Sequence, residues 1–144
     1  MDRIMYVKMN GLQLSYNTDN LNFNIDTGYK EWIQKSGFNP YIEFIYDGRP
    51  VKINLIDAKN IEHKQWHTGF GEGIKSRFSG FLADGVEYGF SFETLVWIDN
   101  TYGELHFEIM PLDEEQGIVN KIVWPGPFEF SRQCSGSYTV VPMM

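Results

Sequence analysis

The sequence predicts an all-β chain, an antiparallel β-sandwich with at most one or two short helices. Three observations carry that expectation. Apolar and polar residues alternate with period two in several stretches, as half-buried strands require. Helical periodicity is almost absent, and Gly, Pro and Asn turn signals recur about every 8–12 residues. Aromatics make up 16% of the 144 residues, a composition that suits pleated surfaces.

In order along the chain, Leu21, Phe23 and Ile25 alternate with Asn20, Asn22, Asn24 and Asp26 and form the first strand signal. Tyr29, Trp32 and Ile33 share a helical face, so one turn of helix is expected within Thr27 to Lys35, kept short by Gly28 and Gly37. Tyr41 to Tyr46 is a nearly continuous apolar run. Asp47-Gly48 turns it back into the alternation of Val51, Ile53 and Leu55, with Pro50 tolerated at a strand start. Asp57 to Gln65 is a second, weaker helix candidate. Lys75 to Phe81 and Val86 to Asp99 read as strands around Ala83-Asp84-Gly85, followed by Leu105, Phe107 and Ile109. Asp113-Glu114-Glu115 reads as a solvated acidic loop. Lys121 to Trp124, Phe128 to Phe130 and Tyr138 to Val141 close the set, with the rigid corner Pro125-Gly126-Pro127 between the first two.

The length fits one domain, residues 1–144, and permits a core without staples. A strand signal so close to Met144 reads as a fragment or the N-terminal domain of a longer chain. The net charge of −7 argues against nucleic acid, whose phosphates need a basic surface, and against anionic membranes. Neutral ligands such as sugars remain compatible. The single cysteine, Cys134, allows no intrachain disulfide and has no local His to make it a nucleophile. No signal peptide is seen, so a cytoplasmic location is the expectation, and a chain without disulfides is also compatible with export.

One hairpin can be registered by hand. A four-residue loop at Asn100-Thr101-Tyr102-Gly103 sets Ile98 opposite Leu105, Trp97 opposite His106, Val96 opposite Phe107 and Thr94 opposite Ile109. One face is then apolar. The other gathers Glu93, Leu95, Trp97, His106 and Glu108. An indole beside an imidazole, with carboxylates nearby, offers a sugar an apolar platform and directional acceptors. The plainer reading is that this face packs against another sheet or a neighbouring domain, with its charges at the rim. Trp66 and Trp124 are further aromatic candidates, Trp124 because a rigid corner follows it, although core or interdomain packing is the better reading of that position.

No complete catalytic motif appears. His63 and His67, four residues apart, would share one face of a helix as a metal site requires, but the segment is too short and unpatterned for a helix and no third metal ligand is placed. Gly69-Phe70-Gly71-Glu72-Gly73 lacks the Lys-Ser/Thr of a phosphate loop, so its glycines fit a tight turn or a close backbone approach. Carboxylates are plentiful, but glycoside hydrolysis needs a spaced pair, and abundance is not pairing. No metal or cofactor is expected.

The segments Gly69 to Gly73, the strand ending in Trp97, Glu104-Leu105-His106-Phe107-Glu108 and Val123-Trp124-Pro125-Gly126-Pro127-Phe128-Glu129 together resemble the N-terminal sandwich of certain large bacterial glycoside hydrolases. In these a galactose-mutarotase-like sandwich precedes a (β/α)8 catalytic barrel. Tyr138 to Met144 is similar to the strand running on towards that barrel. The resemblance spans residues 10–144. It implies a non-catalytic accessory domain that supports the catalytic domain and contacts carbohydrate, with Glu72 and its glycine neighbours as a loop reaching towards the substrate cleft. The residues leave two other readings open. One is a free-standing carbohydrate-binding module using Trp97, His106 and Glu108. The other is a small sugar-acting enzyme with a His/Glu acid–base pair.

Overall fold

The first hairpin turns on Asn10-Gly11, whose φ values of 53° and 78° are both left-handed. Two such residues make the two-residue connection whose twist matches its strands. It joins β1 (Ile4–Met9) to β2 (Leu12–Asn17), paired antiparallel. The computed structural model describes residues 4–34, 38–46, 48–83, 85–114, 118–125 and 128–130. The strand expected at Tyr138 to Val141, Cys134 and Glu115 lie outside them.

Next come β3 (Asn22–Asp26), β4 (Glu31–Gln34), β5 (Tyr41–Tyr46) and β6 (Arg49–Asn54). A 3-10 turn, Leu55–Asp57, leads to β7 (Asn60–Thr68). The chain continues through β8 (Gly71–Ala83), β9 (Val86–Asp99), β10 (Leu105–Glu114), β11 (Ile118–Val123) and β12 (Phe128–Phe130). Three antiparallel sheets result: β1-β2-β3-β4-β12, β10-β9-β8-β7 and β11-β5-β6. No helix among the described residues is long and apolar enough to cross a membrane.

The four-stranded sheet is the backbone of the sandwich. Tyr88, Phe90, Phe92, Thr94, Val96 and Ile98 alternate along β9 and are all buried. Against this face the five-stranded sheet sets Phe23, whose ring meets Phe107 edge-on at 5.7 Å, and Tyr16, which meets His63 at 5.1 Å. The three-stranded sheet sets Phe44, stacked on Tyr88 at 4.9 Å and edge-on to Phe90 at 5.8 Å. The two smaller sheets thus share the opposing layer, and the buried side chains join in one cluster. The register shift between Ser79 and Phe81, with Gly80 at φ 74°, is a bulge. It keeps both Phe78 and Phe81 on the core side, where each stacks on Phe92.

Leu21 takes a left-handed φ of 62°, which costs a side-chain-bearing residue about 1–2 kcal/mol. Full burial of its side chain, worth about 1.5–3 kcal/mol, offsets that.

Both expected helices are replaced. Within Thr27 to Lys35 the chain makes a polar turn, held by Asp26 and Thr27 side-chain oxygens, and then β4. Tyr29 is 87% exposed, so it forms no face with Trp32. Asp57 to Gln65 holds the end of the 3-10 turn and most of β7, a strand on the sheet edge with polar residues on both faces. Asp113 and Glu114 belong to β10 rather than to a loop.

Candidate functional site

The β9–β10 register is the one the hairpin arithmetic requires: Ile98 opposite Leu105, Trp97 opposite His106, Val96 opposite Phe107 and Thr94 opposite Ile109. Pairing with β8 and β7 then extends each outer residue into a row across the sheet. One row reads Trp66, Gly73, Trp97, His106. The next reads Lys64, Lys75, Leu95, Glu108. The third reads Glu62, Arg77, Glu93, Met110. Trp66, Trp97, His106, Glu108 and Glu93 therefore share the outer face of the four-stranded sheet.

Gly73 makes the ring row possible. A Cβ there would sit 2.2 Å from the Val96 carbonyl oxygen and 2.5 Å from Cβ of Trp97, closer than any real contact. Across this gap Trp97 meets Trp66 edge-on at 5.4 Å. On its other side it stacks on His106 at 4.5 Å, with 23° between the planes. Its indole N–H donates to Glu108 Oε2. Trp97 is thus flanked by rings, and its polar atom is already satisfied. Trp66, at the sheet edge, is the outermost ring of the row.

Below this row lies an open depression of about 340 Å³, lined by Glu62, Lys64, Gln65, Trp66, Lys75, Arg77 and Glu93. Glu93 is its strut: one oxygen lies 3.2 Å from Arg77 Nη2, the other 3.8 Å from Lys75 Nζ.

Asp99 closes the hairpin tip. Its Oδ1 accepts from the amides of Thr101 (3.1 Å) and Gly103 (3.1 Å), and also from Tyr102. Its Oδ2 lies 3.3 Å from the Glu104 amide and 2.7 Å from His106 Nε2. The His106 hydrogen bond first, then the amide bonds, hold the carboxyl well below its ordinary value, at about 2. Backbone donors thus stabilise the Asp99 carboxylate at the tip, beside the carboxylate of Glu104. Asp99, Glu104 and His106 bring three potential metal-ligand atoms within 4.8 Å. Both Asp99 oxygens are occupied by this cap, so the arrangement serves the loop.

Glu72 and Trp124 do not join the outer face. Glu72 lies on the opposite side of β8, level with Ile74 and Ser76, and pairs with His67 Nδ1 at 2.9 Å. Trp124 is 6% exposed and packs edge-on against Phe107 and Phe23, 5.5 and 5.8 Å away. An apolar pocket between the layers takes it, and its indole N–H finds no partner among the described residues. His63 and His67, on a strand rather than a helix, stand about 13 Å apart along β7 and hold no common ligand. His63 Nδ1 instead meets Ser76 Oγ at 2.7 Å, and burial lowers its pKa. Lys64, Lys75 and Arg77 are the site residues that sequence reasoning missed. The signal that could have found them is the pairing of β7 with β8, hidden because β7 lacks alternation.

No family model matches the sequence, and no curated protein matches it. Solved structures do. The α-N-acetylgalactosaminidase NagBb of Bifidobacterium bifidum, in complex with GalNAc, matches with a TM-score of 0.72 and 28% identity, over 86% of this chain and 18% of that one. Its complex with Gal-NHAc-DNJ gives 0.75 and 28%, over 87% and 19%. The ligand-free form gives 0.72 and 27%, over 88% and 19%. The chain corresponds to one part of a large glycoside hydrolase. It spans about a fifth of the length of the hydrolase chains it matches.

Proposed function

We propose that this chain is a non-catalytic accessory β-sandwich of a glycosidase, packed beside a catalytic domain and meeting sugar on the outer face of its four-stranded sheet. The observation that carries the reading is the match of nearly nine-tenths of this chain to under a fifth of an α-N-acetylgalactosaminidase. By that likeness the parent enzyme acts on N-acetylgalactosaminides, and its nucleophile and general acid lie outside this chain.

The chemistry of the carboxylates supports a non-catalytic role. A glycosidase needs a spaced pair, one of them an acid with a raised pKa. Here Asp99 is shifted down, Glu108 accepts from Trp97, Glu93 holds two cations and Glu72 holds His67. His106, the partner a His/Glu acid–base pair would need, is bonded to Asp99 rather than Glu108. A free-standing binding module would need an open aromatic platform, and Trp97 is hemmed in by Trp66 and His106.

The test is the intact mass of the native protein, together with turnover of a chromogenic α-N-acetylgalactosaminide. The expected result is a native mass far above 16.8 kDa, with turnover by the long protein and none by the 144-residue chain. A native mass equal to that of this chain, or turnover by it alone, would overturn the proposal.

A further inference from the structure

The depression on the outer face has a charge pattern that neutral-sugar binding does not require. In a chain of net charge −7, three of its 12 basic residues, Lys64, Lys75 and Arg77, line this one hollow against two carboxylates, Glu62 and Glu93. Glu93 is committed to Lys75 and Arg77 together. Among the described residues Lys64 makes no ion pair, and its direct cross-strand neighbour is Lys75. Like charges facing each other across a strand pair destabilise a sheet. An anion seated between them would relieve that repulsion. Trp66 forms the wall beside them, an apolar surface on which a sugar ring can lie. The volume, about 340 Å³, falls at the low end of small-ligand sites.

We infer that this hollow binds an anionic saccharide, its carboxylate or sulfate held by Lys64, Lys75 and Arg77 and its ring lying on Trp66. The inference rests on the carbohydrate reading above and gives it a ligand class.

The test is titration of the 144-residue chain, followed by calorimetry and Trp fluorescence. The probes are galacturonic acid against galactose, and N-acetylgalactosamine 4-sulfate against N-acetylgalactosamine, with inorganic sulfate alone as a further arm. At least one charged sugar binds about tenfold or more tightly than its neutral counterpart and than sulfate, and its affinity falls with added salt. The arm that binds identifies carboxylate or sulfate as the anion. Lys64→Gln separates ligand from fold: it weakens that binding while raising the melting temperature, because it also removes the Lys–Lys repulsion. Lys8→Gln, on β1, leaves binding unchanged. Equal affinity for charged and neutral sugars, sulfate binding as tightly as the charged sugar, no binding in any arm, or unchanged affinity in Lys64→Gln would each overturn the inference. The native-mass measurement is independent of all these outcomes, so failure here leaves the accessory-domain role standing, while no binding in any arm also removes the sugar contact proposed for this face.

Discussion

Replacing Gly73 by alanine puts one methyl group where the structure has no room, and the neighbours decide the cost. The new Cβ would meet the Val96 carbonyl oxygen at 2.2 Å and Trp97 Cβ at 2.5 Å. Both belong to or adjoin backbone, so no flexible side chain can swing aside. The β8–β9 ladder must open at the Gly73–Trp97 pair. Overpacking of this kind costs about 1–3 kcal/mol. A strained ladder hydrogen bond adds about 0.5–1.5 kcal/mol. The less flexible unfolded chain returns about 0.4–1 kcal/mol. The balance is a loss of about 0.5–4 kcal/mol, or roughly 2–13 °C in melting temperature for a chain of this size. Gly69→Ala is the internal control, since nothing lies within 4 Å of its added Cβ, and it should stay within about 0.5 kcal/mol of the parent. Thermal unfolding followed by circular dichroism and Trp fluorescence reads both variants. A Gly73→Ala protein melting within about 2 °C of the parent would refute the close approach, and with it the reason Trp97 reaches Trp66.

Phe23, 2% exposed and in ring contact with Tyr16, Phe107 and Trp124, is the link between layers, so Phe23→Ala should cost about 3–5 kcal/mol by urea unfolding. Burial lowers the His63 pKa from 6.5, so the folded state resists protonation more than the unfolded one. That contribution is complete above pH 6.5 and is lost as pH falls through the lowered folded value, and a His63→Gln variant should lack this limb of the melting-temperature curve. Asp99 repeats the pattern in acid, its contribution complete above 3.8 and lost as pH falls towards about 2. Asp99→Ala should speed hydrogen exchange at the amides of Thr101, Tyr102 and Gly103 and leave those of β7 unchanged.

What the sequence revealed depended on how cleanly its two faces differ. Thr94, Val96 and Ile98 against Leu105, Phe107 and Ile109 leave a single register that buries an apolar set, so the alternation alone fixes the pairing. The N-terminal hairpin carries a turn signal as clear but strands that are less so. Its Asn10-Gly11 turn is the strongest short hairpin signal there is, yet Ile4, Met5, Tyr6 and Val7 blur the alternation around it. Around Tyr29 and Trp32 the helical spacing misled, because Tyr29 belongs to a turn held by side-chain oxygens and points into solvent. For Trp124 the proline corner leaves outward presentation and core packing both open, with packing the better reading, and its ring fills the space between Phe23 and Phe107.

The strand β7 leaves the faintest mark in the sequence. Glu62, Lys64 and Trp66 form its outer face, while Ile61 and His63 look inward, so neither face is uniformly apolar or polar. An edge strand gains its place from backbone pairing with β8 more than from burial, and such pairing leaves little mark in composition. Yet it is this strand that turns a two-strand ring pair into a four-strand surface. Without it Trp97 and His106 would form an open platform of the kind a neutral sugar prefers. With it, Trp66 closes the platform from one side and Lys64 brings a second ammonium up to Lys75. If the hollow binds as proposed above, recognition on the outer face moves from the indole of Trp97 to the basic residues beside Trp66, and a ligand chosen only from the β9–β10 hairpin would lack the matching charge.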